Sequence, residues 1–229
     1  MEQDSVIDLS QRMIPSGEVN FKFELDLRDA KISMPQLNYD DDIWYKIGYV
    51  SMCTHNGTHI ECPYHHLADG EDLVSMPISR LIGNLVLLDF AHKTVNDTIT
   101  LEDFKQYDAK IKAGDIVFIR TGQDKLFRTE NWCDYPYITI DAIKWLIEKK
   151  IGCLGTDAAG IEDVLAHNQP GHVTLFRGNI PLVESLTNLD KVVEGEFMVF
   201  ILPLPIEKCD ASPVRIVAVK KSALRKALQ

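Results

Sequence analysis

Twelve residues, His55 to His66, constrain this chain more than any other stretch. They read His55-Asn56-Gly57-Thr58-His59-Ile60-Glu61-Cys62-Pro63-Tyr64-His65-His66 and hold four of its seven histidines together with a glutamate. Gly57 and Pro63 disfavour a helix interior, so the stretch is read as extended, with side chains alternating between two faces. His55, Gly57, His59, Glu61, Pro63 and His65 then share one face, and Asn56, Thr58, Ile60 and Cys62 take the other. In a straight strand His55 and His59 would stand about 13 Å apart at ~3.3 Å per residue. The chain must therefore bend, and Gly57 is the natural hinge. Neutral imidazoles packed around a carboxylate leave polar groups unsatisfied unless a cation gathers them. Imidazole and carboxylate suit zinc, and also manganese or iron. His55, His59 and Glu61 are the candidate metal ligands of this stretch, with His65 as a further polar group along the same edge.

The chain has 229 residues, enough for a substantial core. Its formal charge of −10, from 24 basic against 34 acidic side chains, argues against nucleic acid or an anionic membrane as partner. The basic residues Lys220, Lys221, Arg225 and Lys226 fall in a helical pattern and read as a solvated face. Met1 to Asp4 show no charged region leading into an apolar one, so no signal peptide is expected. Phe197 to Ile206 is too short and too proline-broken to span a bilayer. Five cysteines, an odd number without dense spacing, point to a reduced, cytoplasmic setting. Cys62, on the face away from the histidines, is the weaker ligand candidate.

Strands are expected over residues 5–10, in Phe21 to Leu27, where apolar and charged residues alternate as in a half-buried strand, and in Tyr45 to Met52, feeding the cluster. Short apolar runs at 85–90, 115–120, 151–155, 197–202 and 214–219 read as buried strands. Thr100 and Asp103 form a variant capping box opening a helix. A second helix runs from Thr139 or Asp141 to Lys149, with Ile143, Leu146 and Ile147 at helical spacing. Asp40-Asp41-Asp42 lacks the glycine and distal glutamate of an EF-hand and reads as an exposed loop. No repeat, linker or compositional break divides the chain, so residues 1–229 are read as one mixed α/β domain. Dinucleotide, P-loop, His-Glu-x-x-His and Gly-x-Ser-x-Gly signatures are absent.

His172 and Glu184, twelve residues apart, carry little weight by spacing alone. Residues 55–65, however, resemble the His-x-Gly-Thr-His-x-Asp-x-Pro-x-His signature of the cyclase-like metal-dependent hydrolases, which include bacterial kynurenine formamidase and isatin hydrolase. The resemblance extends to Asp8-Leu9-Ser10, Arg120-Thr121-Gly122, Gly155-Thr156-Asp157 and the segment His172 to Leu189. It implies a swivelling β/β/α fold with a mixed sheet, assembled as a homodimer or homotetramer. It further implies zinc or manganese, one or two ions per subunit. His55 and His59 would ligate a first ion, Glu61 would bridge, His172 and Glu184 would complete a second, and His65 would be the catalytic histidine.

Two departures stand out. Glu61 replaces the family's aspartate, lengthening the arm by one methylene, and the N-terminal region lacks the Trp-Pro-Gly-Asp element expected of a kynurenine-pathway formamidase. The expected chemistry is hydrolysis of an N-formyl or cyclic C–N amide in a small-molecule substrate, by metal-activated water with His65 moving the proton. His66 would sit behind the ligands or at the surface, and Thr58 would orient a ligand histidine or simply pack in a strand. A metal-dependent cyclase or lyase acting on a hydroxy or keto acid is the alternative, and a non-catalytic metal-binding protein a third.

Overall fold

The apolar runs become strands because each is short, rich in branched side chains and bounded by turns. Residues 5–18, 21–95 and 97–227 are described in this computed structural model, and residues 1–4, on which the signal-peptide expectation rests, lie outside them. In chain order the strands are β1 (Val6–Asp8), β2 (Phe23–Asp29), β3 (Lys46–Met52), β4 (His59–Glu61), β5 (Ile82–Asp89), β6 (Thr98–Ile99), β7 (Ile116–Arg120), β8 (Tyr137–Ile138), β9 (Cys153–Thr156), β10 (Leu182–Glu184), β11 (Phe197–Ile201), β12 (Ala211–Pro213) and β13 (Ile216–Lys220). The helices are α1 (Ala30–Ser33), α2 (Leu101–Lys105), α3 (Ile140–Glu148), α4 (Pro170–Arg177) and α5 (Lys221–Ala227).

Nine strands form one mixed sheet in the order β1-β13-β11-β5-β7-β9-β10-β4-β12. The centre, from β5 to β10, is parallel, and both flanks are antiparallel. Central strands are buried on both faces, which explains their nearly continuous apolar sequences. On one face Phe118, Cys153 and Val183 meet Phe197 and Ile216 from one flank and Ile60 from the other, so the curled sheet encloses one core on this side. On the other face Val117, Ile119 and Leu154 pack against Phe104 of α2, Ile143 and Leu146 of α3, and Leu175 and Phe176 of α4. Each such side chain contributes roughly 1.5–3 kcal/mol by leaving water. The mixed α/β reading holds, as does the capping box: Thr100 Oγ1 accepts from the Asp103 N–H while Asp103 accepts from the Thr100 N–H.

One expectation needs correction. Phe21 to Leu27 does yield a strand, but it is not half-buried: β2 pairs only with β3, in a two-stranded hairpin, and Leu25 and Leu27 are 41% and 55% exposed. The alternation records an apolar face that no other described element covers. Asp40 to Asp42 are exposed, as read.

Candidate functional site

The histidine-rich stretch does not run as one strand. Residues 54–58 turn, Gly57 takes the left-handed φ of +61°, and only His59–Glu61 is extended. Pro63 then opens a 3-10 turn, Pro63–His65, that carries His65. Convergence thus comes from a bend at Gly57 and a second bend at Pro63, rather than from simple alternation over the whole stretch. Cys62 points into the core, as expected, donating its S–H to the Asp210 carbonyl at 3.0 Å. Thr58 is packing rather than ligand orientation: its hydroxyl donates to the Ser185 carbonyl at 2.6 Å.

Sheet register supplies the remaining groups. β10 lies antiparallel to β4 with Glu184 opposite His59, so the two side chains leave the sheet on the same side. β12 places Ala211 opposite Glu61, which brings Asp210 to the rim of the cluster. His172 enters from the first turn of α4. All six residues singled out from sequence therefore lie in one place. His55 Nδ1 is 2.9 Å from Glu61 Oε1, and His59 Nε2 is 3.4 Å from the same oxygen. His172 Nε2 stands 3.5 Å from Glu61 Oε2 and 3.2 Å from Glu184 Oε1. His65 Nε2 is 3.8 Å from Glu61 Oε1. Among the described residues three trios have donor atoms within 4.8 Å of one another, and two of them, His55–His59–Glu61 and Glu61–His172–Glu184, meet at the floor of the site. Glu61 belongs to both.

The donor set fits a divalent cation on a specific observation. His59 Nδ1 donates to the Gly57 carbonyl at 2.9 Å, leaving Nε2 a lone pair. That buried Nε2 and the buried Glu61 Oε2 have no hydrogen-bond partner among the described residues. Unpartnered buried acceptors are costly, and a cation among them satisfies both. The electrostatics agree. Burial resists ionisation of Glu61, yet the His172 and His55 rings beside it hold its carboxyl well below the usual carboxylate range. Glu184 moves the other way, raised by burial and by the charge of Glu61. His55, despite burial, is lifted to about 9 by Glu61 and Asp210. For His65 burial wins, with the charges of His55 and His66 adding to it, and its pKa is lowered.

Sequence reasoning missed two carboxylates. Glu162 accepts from His172 Nδ1 at 2.5 Å and from the Gly171 and His172 N–H groups. Asp210 Oδ2 accepts from both His55 Nε2 and His65 Nδ1. Neither sits in a recognisable spacing: Asp210 is brought in by the pairing of β12 with β4, and Glu162 by a loop that returns to the first turn of α4. His66 stacks on His172 at 5.2 Å between ring centroids and donates to Gln169 Oε1, at the edge of the cluster.

Above this floor opens a cavity of about 370 Å3 whose walls include Phe21, Phe127, Trp132 and Tyr135. Arg128, on the rim, takes a left-handed φ of +67° and is tied to Glu18 by a 3.1 Å hydrogen bond from Nε. The family model "Putative cyclase" matches residues 7–163, more than half of the chain. The chain belongs to the cyclase family. This cyclase-family chain is 31% identical to isatin hydrolase of Roseibium aggregatum over 213 residues, covering 81% of this chain and 79% of that one. It is 28% identical over 221 residues to kynurenine formamidase of Erythrobacter litoralis, covering 94% of each. A crystal structure of an isatin hydrolase bound to the product analogue thioisatinate superposes with a TM-score of 0.78 at 26% identity, covering 94% of this chain and 92% of that one. A further solved structure, described as a potential metal-dependent hydrolase with cyclase activity, superposes with a TM-score of 0.75 at 27% identity, covering 94% of this chain and 98% of that one, and the donor set supports a divalent ion.

Proposed function

We propose that this cyclase-family chain is a metal-dependent hydrolase of a C–N amide bond, N-formyl or cyclic, in a small-molecule substrate. The observation that carries the reading is the pair of partnerless buried acceptors, His59 Nε2 and Glu61 Oε2, at the junction of two trios that share Glu61. His55, His59 and Glu61 hold one ion, and Glu61, His172 and Glu184 a second, zinc or manganese. Each trio provides three protein ligands, whereas a purely structural zinc is closed by four, which favours a catalyst over a structural site. The extra methylene of Glu61 suits a carboxylate that reaches both trios. Relatives named as hydrolases weigh against the cyclase or lyase alternative.

An ion held by these residues would supply an easily ionised water and a Lewis acid for the substrate carbonyl, lowering the water's pKa toward ~7. The chain's own groups do the rest. Glu162 accepts from Nδ1 of His172 and so turns its Nε2 to the ligand position. His65, its pKa lowered by burial, is a neutral base: Nε2 faces the Glu61 side of the site, takes a proton there and returns it to the leaving nitrogen. The aromatic walls receive a planar, largely apolar substrate body and limit water.

The reading extends to the whole of residues 1–229 as one domain in the cytoplasm, supported by the five free cysteines. Among the described residues no helix is long and apolar enough to cross a membrane. The uncovered hairpin β2–β3, with Leu25, Leu27, Tyr49 and Val50 exposed, supports assembly as a homodimer or homotetramer. The test is elemental analysis of purified protein together with a panel of N-formyl and cyclic amides, run beside hydroxy-acid dehydration. Two zinc or manganese ions per chain and amide hydrolysis abolished by chelation are expected. Metal-free protein that hydrolyses amides equally well, or turnover of hydroxy acids alone, would refute it.

A further inference from the structure

Asp210 lies 155 residues from His55 and 145 from His65 in sequence, yet a single oxygen, Oδ2, is 2.9 Å from His55 Nε2 and 3.1 Å from His65 Nδ1. The two ring centroids lie 4.5 Å apart, with the ring planes tilted by 44°. An ionised carboxylate only accepts, so both facing nitrogens carry hydrogen. The remaining nitrogens, Nδ1 of His55 and Nε2 of His65, both look toward Glu61 Oε1, at 2.9 Å and 3.8 Å. Once a cation takes the place of the hydrogen that His55 Nδ1 otherwise presents to Glu61, one oxygen selects the tautomer of two rings that do different things.

The carboxylate is itself held. Its Oδ1 accepts from Thr54 Oγ1 at 3.2 Å, and its backbone carbonyl accepts from the Cys62 N–H at 3.0 Å. The second bond continues the pairing of β12 with β4, so the strand that carries Glu61 also places Asp210. Asp210, His55 and His65 could on distance grounds hold an ion of their own. That use would need His55 Nε2 without its hydrogen, whereas His55 already offers Nδ1 to the Glu61 trio.

We infer that Asp210 is a positioning residue, which fixes His55 in the tautomer that ligates through Nδ1 and His65 in the tautomer that accepts a proton at Nε2. The inference rests on the proposed hydrolase reading for the role of His65, but its effect on zinc binding does not depend on turnover. Outer partners of metal-ligating histidines typically govern affinity by 10–100-fold.

The test compares wild type, Asp210→Leu, which cannot accept, and Asp210→Asn, whose amide oxygen can take the place of Oδ2. Zinc titration of D210L is expected to show about 10–100-fold weaker binding with unchanged stoichiometry. Zinc-saturated D210L should lose about 10²-fold or more in kcat, the scale of a misplaced general base, with KM within about threefold. Nitrogen-15 NMR of histidine-labelled protein should show His65 losing its single Nδ1–H tautomer in D210L and regaining it in D210N, which recovers kcat to within about tenfold of wild type. Unchanged zinc affinity and tautomer in folded D210L would overturn the inference, and so would a rise in KM alone. Loss of one whole ion would make Asp210 a ligand instead, and equally overturn it. If D210L does not fold, Asp210→Ala carries the same expectations. A wild-type protein that binds zinc but hydrolyses no amide refutes the proposed activity, while the titration and NMR still decide this inference.

Discussion

Replacing Glu61 by glutamine tests the centre of the site, because Glu61 is the one group common to both trios. The change keeps the volume and one acceptor oxygen but removes the charge, and it turns a hydrogen-bearing nitrogen toward a ligand position. An ion present at about 100 times its Kd stabilises the folded chain by about 2.7 kcal/mol, so two independent ions give about 5.4 kcal/mol. For a chain of 229 residues each kcal/mol moves Tm by about 2–4 °C. Saturating metal should therefore raise the wild-type Tm by roughly 11–22 °C over the chelated protein. In E61Q nearly all of that rise should vanish. Glu184→Gln touches only the second trio and should keep about half of it. Without metal the E61Q cost is small, since hydrogen bonds from the histidines weaken but the repulsion between Glu61 and Glu184 is relieved. Differential scanning fluorimetry with and without chelator, supported by metal analysis after dialysis, reads all of these. If E61Q keeps half the rise and one ion, Glu61 is not shared. A full rise in E61Q would remove it from the site altogether.

Other perturbations follow from the same geometry. His65→Ala should retain its metal, measured by elemental analysis, yet lose roughly 10²–10⁴ in kcat; near-normal turnover would exclude His65 as the proton carrier. Gly171→Ala places a Cβ 2.7 Å from Glu162 Oε2 and 3.1 Å from its Cδ. Glu162 must then leave His172, and isothermal titration should show the second ion bound about 10–100-fold more weakly, with the first unaffected. Away from the site, Asp157 accepts from the Thr121 N–H and hydroxyl and the Gly122 N–H, yet burial pushes its carboxyl up from 3.8 to about 6. The folded state then holds this proton more tightly than the unfolded one. The group's stabilising contribution is complete below pH 3.8 and is lost as pH rises through about 6, by about 3 kcal/mol for two pKa units at ~1.4 kcal/mol each. A carbon-13 NMR titration of Asp157 with a midpoint below 4 would contradict this.

The clustering of the histidines and Glu61 was legible in sequence to a large extent, and the reasons are local. Gly57 and Pro63 exclude a helix, so His55, His59, Glu61 and His65 had to share an extended or turned segment, where short-range geometry alone can gather them. The central strands were legible because burial on both faces removes polar residues from them, leaving runs such as Ile116 to Ile119 with no other use. The hairpin was misread for a related reason. Alternation in Phe21 to Leu27 reports that one face is apolar, but not whether anything covers it, and in β2 nothing in the described chain does.

By itself the sequence determined the chemical character of this protein: a borderline-metal donor set, a bend at Gly57 and a set of short buried strands, all properties of residue type and spacing over a few positions. Tertiary structure alone decided the rest. Register between β4 and β10 set Glu184 against His59, register between β4 and β12 brought Asp210 to His55 and His65, and the start of α4 turned His172 onto Glu162. Those contacts join residues up to 155 positions apart. Strand pairing reads backbone hydrogen bonds and buried faces over the whole sheet, and no local pattern in the chain encodes which distant carboxylate it delivers.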